Sequence, residues 1–85
     1  MKSTQEKLEE IKIKLDKDFS AYIYTDSIVY TLGYSVYYEI NVLITTQEFW
    51  NRLMKYNLAI YEINSINDLI ILKIYVGDIR KLKGD

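Results

Sequence analysis

The sequence has no cysteine, no histidine and no proline, and each absence narrows what the chain can do. Without cysteine there is no disulfide, no thiolate metal site and no thiol nucleophile. Without histidine the chain lacks the commonest metal ligand and the usual general base near neutral pH. Glycine stands only at positions 33, 77 and 84, so there is no glycine-rich phosphate loop. No apolar run reaches the ~18 residues that would span a bilayer. The opening "MKSTQEKLEEIKIKLDKD" is too charged for a signal peptide. A soluble, cytoplasmic protein with no membrane contact is the expectation. Charge of one sign is missing too: 11 Lys and Arg stand against 12 Asp and Glu, so no global field draws the chain to nucleic acid or anionic lipid.

What remains is a chain of 85 residues, 49% of them hydrophobic and nine of them tyrosine. That length makes one domain, residues 1–85. A domain this small buries only about 60% of the surface of its unfolded chain, so shared burial with a partner is worth much to it. The richness in Ile, Tyr, Lys and Asn, all written by AT-rich codons, points to an AT-rich genome and, with the small size, to a viral, plasmid or thermophile origin; a virus- or plasmid-encoded accessory factor is the expected setting.

Two helices and a set of strands can be read from the periodicity. Residues 4–18 place Leu8, Ile11 and Leu15 on one stripe that Phe19 continues, with Ser3 or Thr4 as N-cap and Ile13 off the stripe. Residues 20–31 are rich in β-branched and aromatic side chains but are interrupted by "TDS", which leaves their buried face unassigned. Leu32-Gly33-Tyr34 makes a turn. Residues 35–45 alternate strictly: Val36, Tyr38, Ile40, Val42 and Ile44 face the core, and Tyr37 faces the other way. Residues 46–57 form a helix capped by Thr45 with Glu48 three positions on, carrying a stripe of Phe49, Leu53 and Tyr56 widened by Trp50 and Met54. Asn57 ends it in a left-handed conformation. Residues 59–64 form a third strand, 65–68 a turn, and 69–76, the most apolar segment, a central fourth strand ended by Gly77. "YEIN" occurs at 38–41 and 61–64, but one copy precedes the second helix and the other follows it, so it reads as a repeated strand recipe rather than a duplicated unit.

The fold class predicted is α+β, in the order helix–strand–strand–helix–strand–strand. The helix between the second and third strands makes those two parallel, and the last hairpin makes the fourth antiparallel to the third. Inserting the fourth strand between the second and third gives a mainly antiparallel sheet of order 1-2-4-3 with both helices on one face. This topology resembles a circularly permuted ferredoxin-like sandwich. The competing arrangements are an αββ–αββ pair of small layers and a sheet completed only in a dimer.

Such a sheet leaves one face without helices. That face carries Tyr37, Glu39, Asn41 and Leu43, then Leu69, Ile71, Lys73 and Tyr75. Tyr37, Leu43, Leu69, Ile71, Lys73 and Tyr75 form the expected interaction surface, because tyrosine joins a large apolar ring to a hydrogen-bonding tip. The function expected is a non-enzymatic protein–protein interaction module, a homodimer or a binder of another protein such as a host factor. The alternative is single-stranded nucleic-acid binding, with Tyr37 and Tyr75 stacking bases and Lys73, Arg80, Lys81 and Lys83 holding phosphates. Against it stand Glu39 on the same face and the net acidic charge. No catalytic residue, metal site or cofactor is expected. Asp16 and Asp18 diverge around a helix and read as a solvated face, Glu39 and Glu62 lack a cleft, and Lys73 beside apolar neighbours reads as snorkelling rather than as a lysine of lowered pKa.

Overall fold

A computed structural model describes residues 3–82. Helix α1, Thr4–Phe19, begins at Ser3, whose hydroxyl accepts from the Glu6 amide at 3.2 Å. Ser3 and Glu6, three residues apart, supply the capping pair that a start at Thr4 would miss. Strand β1, Ile28–Leu32, is shorter than the 20–31 segment. Residues 20–27 run as turn and bend, and the Tyr24 amide donates to the Asn41 carbonyl at 2.7 Å. Gly33, at φ +61°, takes the first place of the two-residue turn into strand β2, Ser35–Val42. A residue with a Cβ is strained at that φ.

Strand β2 stops at Val42, not at 45, and Ile44 is 71% exposed. Its expected inward position fails because alternation holds only while the ladder holds, and the chain bends at Leu43. Helix α2, Gln47–Lys55, starts one residue later than predicted. Its cap is Thr46, which accepts from the Phe49 amide, rather than Thr45. Asn57 ends it at φ +57°. Met54, predicted to widen the apolar stripe, is exposed. Strand β3, Ala59–Ile66, and strand β4, Leu69–Asp78, are joined at Asn67 and Asp68, with Asn67 at φ +56°. Both strands run two residues past their predicted ends, and Gly77, at φ +152°, continues β4 instead of ending it.

The four strands form one antiparallel sheet in the order β1-β2-β4-β3, with β4 central. Both helices cover the same side. Leu15 and Phe19 of α1 and Phe49 and Leu53 of α2 share a buried cluster with Tyr38, Ile40 and Val42 of β2 and Leu72 and Ile74 of β4. Phe19 and Phe49 meet edge to face, 5.7 Å between ring centres. The hairpin register pairs Val29 with Tyr38 and Tyr30 with Tyr37. Directly opposed residues share a face, so Val29 points to the core and Tyr30 to the helix-free side. No helix of the described residues is long and apolar enough to cross a membrane.

Candidate interaction face

The helix-free face is organised around Tyr37. Its ring is 4.9 Å from that of Tyr61, 5.8 Å from Tyr30 and 5.9 Å from Tyr75, measured between centres. One tyrosine comes from each of the four strands. The three neighbours cover Tyr37 so well that only 6% of it meets solvent. Tyr37 therefore lies on the predicted side but presents almost no surface to a partner. The exposed aromatic surface belongs instead to Tyr61, which is 60% exposed, and to Tyr75.

Tyr61 reaches this face through an irregularity. Ile60 pairs with Ile74 and Glu62 with Lys73, so Tyr61 is the extra residue of a β-bulge. A bulge resets the two-residue alternation, and this is why the pattern of 59–64 did not place the ring. Tyr30 was missed for another reason, the ambiguity of 20–31. Its signal was the two-residue turn at Gly33, which fixes Tyr30 opposite Tyr37.

Lys73 sits at the centre of the face, with Glu39 opposite on β2 and Glu62 opposite on β3. Its ammonium lies 5.9 Å from the ring centres of both Tyr30 and Tyr61, a cation–π distance. Its pKa is raised, chiefly by the Tyr30 hydroxyl, with burial opposing and Glu62 and Glu39 adding to the rise. A lysine of lowered pKa, suited to act as a base, is thus not what this site holds. The Tyr30 hydroxyl donates to Glu39 Oε1 at 3.3 Å, and burial foremost raises its pKa. Leu69 and Ile71 lie half-buried beside this group on β4, and Ile28, Leu32 and Ile66 stand exposed around it on the outer strands. Leu43 is exposed just past the end of β2, where strand alternation no longer assigns it a side.

Of the basic residues proposed for phosphate, Lys73 lies among the tyrosines of this face, whereas Arg80 is engaged elsewhere. Arg80 forks onto the Asp78 carboxylate, with contacts of 3.0 and 2.6 Å, and its guanidinium stacks 3.8 Å over the Tyr34 ring. Hydrogen bonds from Arg80 hold the Asp78 carboxyl down at about 2. Arg80 thereby clamps the C-terminal turn to the β1–β2 turn. Lys81 is exposed, and Lys83 lies outside the described residues.

On the opposite side the acidic pair of α1 is structural rather than solvated. Asp16 accepts from Ser27 Oγ at 2.5 Å, from the Tyr38 hydroxyl at 2.6 Å and from Lys12 Nζ at 2.9 Å. Burial acts to raise its pKa, but these three donors outweigh it and the net shift is downward. Asp18 accepts from the Tyr56 hydroxyl, and its carbonyl accepts from Arg52 at 2.9 Å. A concavity of about 460 Å³ lies between α1 and the end of β4. It is walled mainly by Ile11, Leu15, Leu58, Val76 and Leu82, with Lys7, Glu10 and Lys14 as its charged groups. Among the described residues no three acidic side chains gather as a metal site.

Comparison with protein-family models, with curated proteins and with solved structures found no match.

Proposed function

We propose that this protein is a small non-enzymatic protein–protein interaction module that self-associates, through its open sheet face or a sheet edge. The observation that supports it is a sheet with one side left to solvent, where Tyr61, Tyr75, Leu69, Ile71 and Ile66 flank a single lysine and two glutamates. Contiguous surfaces of this kind, apolar and tyrosine-rich with few charges, are characteristic of protein contacts. On the open face the residues available to a different protein are Tyr75, Ile71 and Leu69, joined by Tyr61. Tyr37 supports them from beneath, and Lys73 supplies the central charge. A cytoplasmic accessory factor of a virus or mobile element that binds a host protein is the setting this reading fits.

Sedimentation velocity from about 1 to 500 μM tests the central claim. A weight-average mass that rises with concentration is the expected result. A monomer throughout would remove self-association.

The exposed rings of Tyr61 and Tyr75 beside Lys73 also support a second reading, stacking on single-stranded nucleic acid. The electrostatics weigh against it, because Glu39 and Glu62 flank the lysine and Asp78 neutralises Arg80. Salt-sensitive binding of a labelled oligonucleotide, weakened by Tyr75→Ala, would establish it. Absence of binding at low salt would end it.

A further inference from the structure

The geometry points to strand β3 as the place where two copies of this chain join, antiparallel across a two-fold axis at Asn64, into one continuous eight-stranded sheet. This rests on the self-association reading above and names the surface that carries it. The sheet has two edges, and they differ. β1 is five residues long, has α1 beside it, and is followed along β2 by the Tyr24–Asn41 bond. β3 is eight residues long, and every residue but Ile60 is exposed. Natural edges are blunted by charged side chains, above all lysine, by proline and by bulges; "AIYEINSI" has no lysine or proline, and its one charge, Glu62, pairs with Lys73 on the helix-free side beside the bulge. Its one irregularity is the bulge at Tyr61, which leaves Glu62–Ile66 as a regular five-residue run.

The register follows from main-chain geometry. Ile66 and Leu69 close a two-residue turn, and residues in that position exchange both hydrogen bonds. Alternation then turns the N–H and C=O of Ser65 and Ile63 away from β4, toward solvent. A two-fold axis at Asn64 pairs Ile63 with the copy's Ser65 and Ser65 with the copy's Ile63, closing four hydrogen bonds. It uses the whole regular run and stops at the bulge on each side. It sets Glu62 opposite the copy's Ile66, so the two carboxylates do not meet. It also covers Ile63, which is 56% exposed although it lies on the helix side of the sheet.

Stacking two helix-free faces together is the competing geometry, and charge decides against it. That mode would enclose Lys73, Glu39 and Glu62 of both copies, and burying an ion costs several kcal/mol even after relaxation. Edge pairing leaves all six in water. It also sets the two tyrosine faces side by side on the same side of the enlarged sheet, which doubles the surface open to a further partner.

Because the chain has no cysteine, single-cysteine variants of the full-length protein report the register directly. In this pairing Asn64 faces its own copy at a non-hydrogen-bonded position, where Cα atoms are about 4.5 Å apart, within disulfide range. Asn64→Cys is expected to oxidise to a covalent dimer at least tenfold faster than Ile71→Cys. Ser65→Pro removes an outward N–H that β4 does not use, a place where an edge strand accepts proline. It and Ile63→Lys should each raise the dimer dissociation constant at least tenfold with circular dichroism unchanged, while Ile71→Asp leaves it unchanged. If Ser65→Pro fails to fold, Ile63→Lys and the cysteine pair carry the test. Faster crosslinking of Ile71→Cys than of Asn64→Cys, or a dimer lost in Ile71→Asp and kept in Ile63→Lys, would overturn edge pairing while leaving self-association standing. A wild-type monomer at all concentrations would overturn both.

Discussion

The two sides of the sheet each enclose one of a pair of adjacent tyrosines, and they do so by different means. Tyr38 lies under two helices with no solvent contact, and its hydroxyl finds Asp16. Tyr37 has no helix above it and is covered by three other tyrosine rings. Helices bring main chain and a continuous packed layer, so what they cover cannot readjust cheaply. Side-chain rings on an open face can rotate and water can enter. The lesson is that similar exposure does not mean similar energetic weight: the helix side holds the fold together, and the tyrosine side is the part of the core that can be rearranged.

Four substitutions probe that difference, each read by urea denaturation. Phe49→Ala, which removes the ring in contact with Phe19, Tyr22 and Trp50, should cost ~3–5 kcal/mol and leave the domain barely folded at room temperature. Tyr37→Ala should cost less, ~2–3 kcal/mol, because the three covering rings can fall into the space. An equal loss in the two variants would erase the distinction.

Tyr38→Phe keeps the ring and removes only the bond to Asp16, for about 1.5 kcal/mol. It also changes the pH profile. The Asp16 carboxyl sits below its ordinary 3.8, so its contribution is complete above that value and is lost as pH falls through the lower, folded value. Burial foremost, then Asp16, raises the Tyr38 hydroxyl above its ordinary 10.0, so its contribution is complete below pH 10 and is lost as pH rises through the folded value. Wild-type stability should therefore fall at both extremes. Tyr38→Phe should flatten the alkaline arm, and an alkaline arm that persists unchanged would assign the effect to another group.

Tyr61→Ala is the smallest of the set, under ~1 kcal/mol, because that ring is mostly in water already. Its sharper readout is chemical. Nitration followed by peptide mass analysis should find Tyr37 resistant in the wild type and reactive once Tyr61 is gone. Continued resistance would mean that Tyr30 and Tyr75 suffice as cover.

The helices, the central place of β4 and the strand order were legible because each rests on local rules. The stripe of Leu15 and Phe19, the left-handed Asn57 and the apolar run of β4 are signals carried by a few neighbouring residues. The sides of Tyr37 and Tyr38 were legible for the same reason. Tyr61 was not, because one inserted residue at the bulge shifts phase and no composition marks it. Ile44 was misplaced because a strand's end depends on where its partner stops, far along the chain. The solvated reading of Asp16 failed because its partners, Ser27 and Tyr38, lie 11 and 22 residues away.

The order of letters alone determined the elements, the antiparallel topology and the two sides of β2, since periods of 3.6 and 2 are fixed by backbone geometry. Tertiary structure decided which tyrosine is covered by rings, which carboxylate anchors the core and which edge of the sheet stays open. Those are matters of distance between residues remote in sequence, and only packing sets such distances.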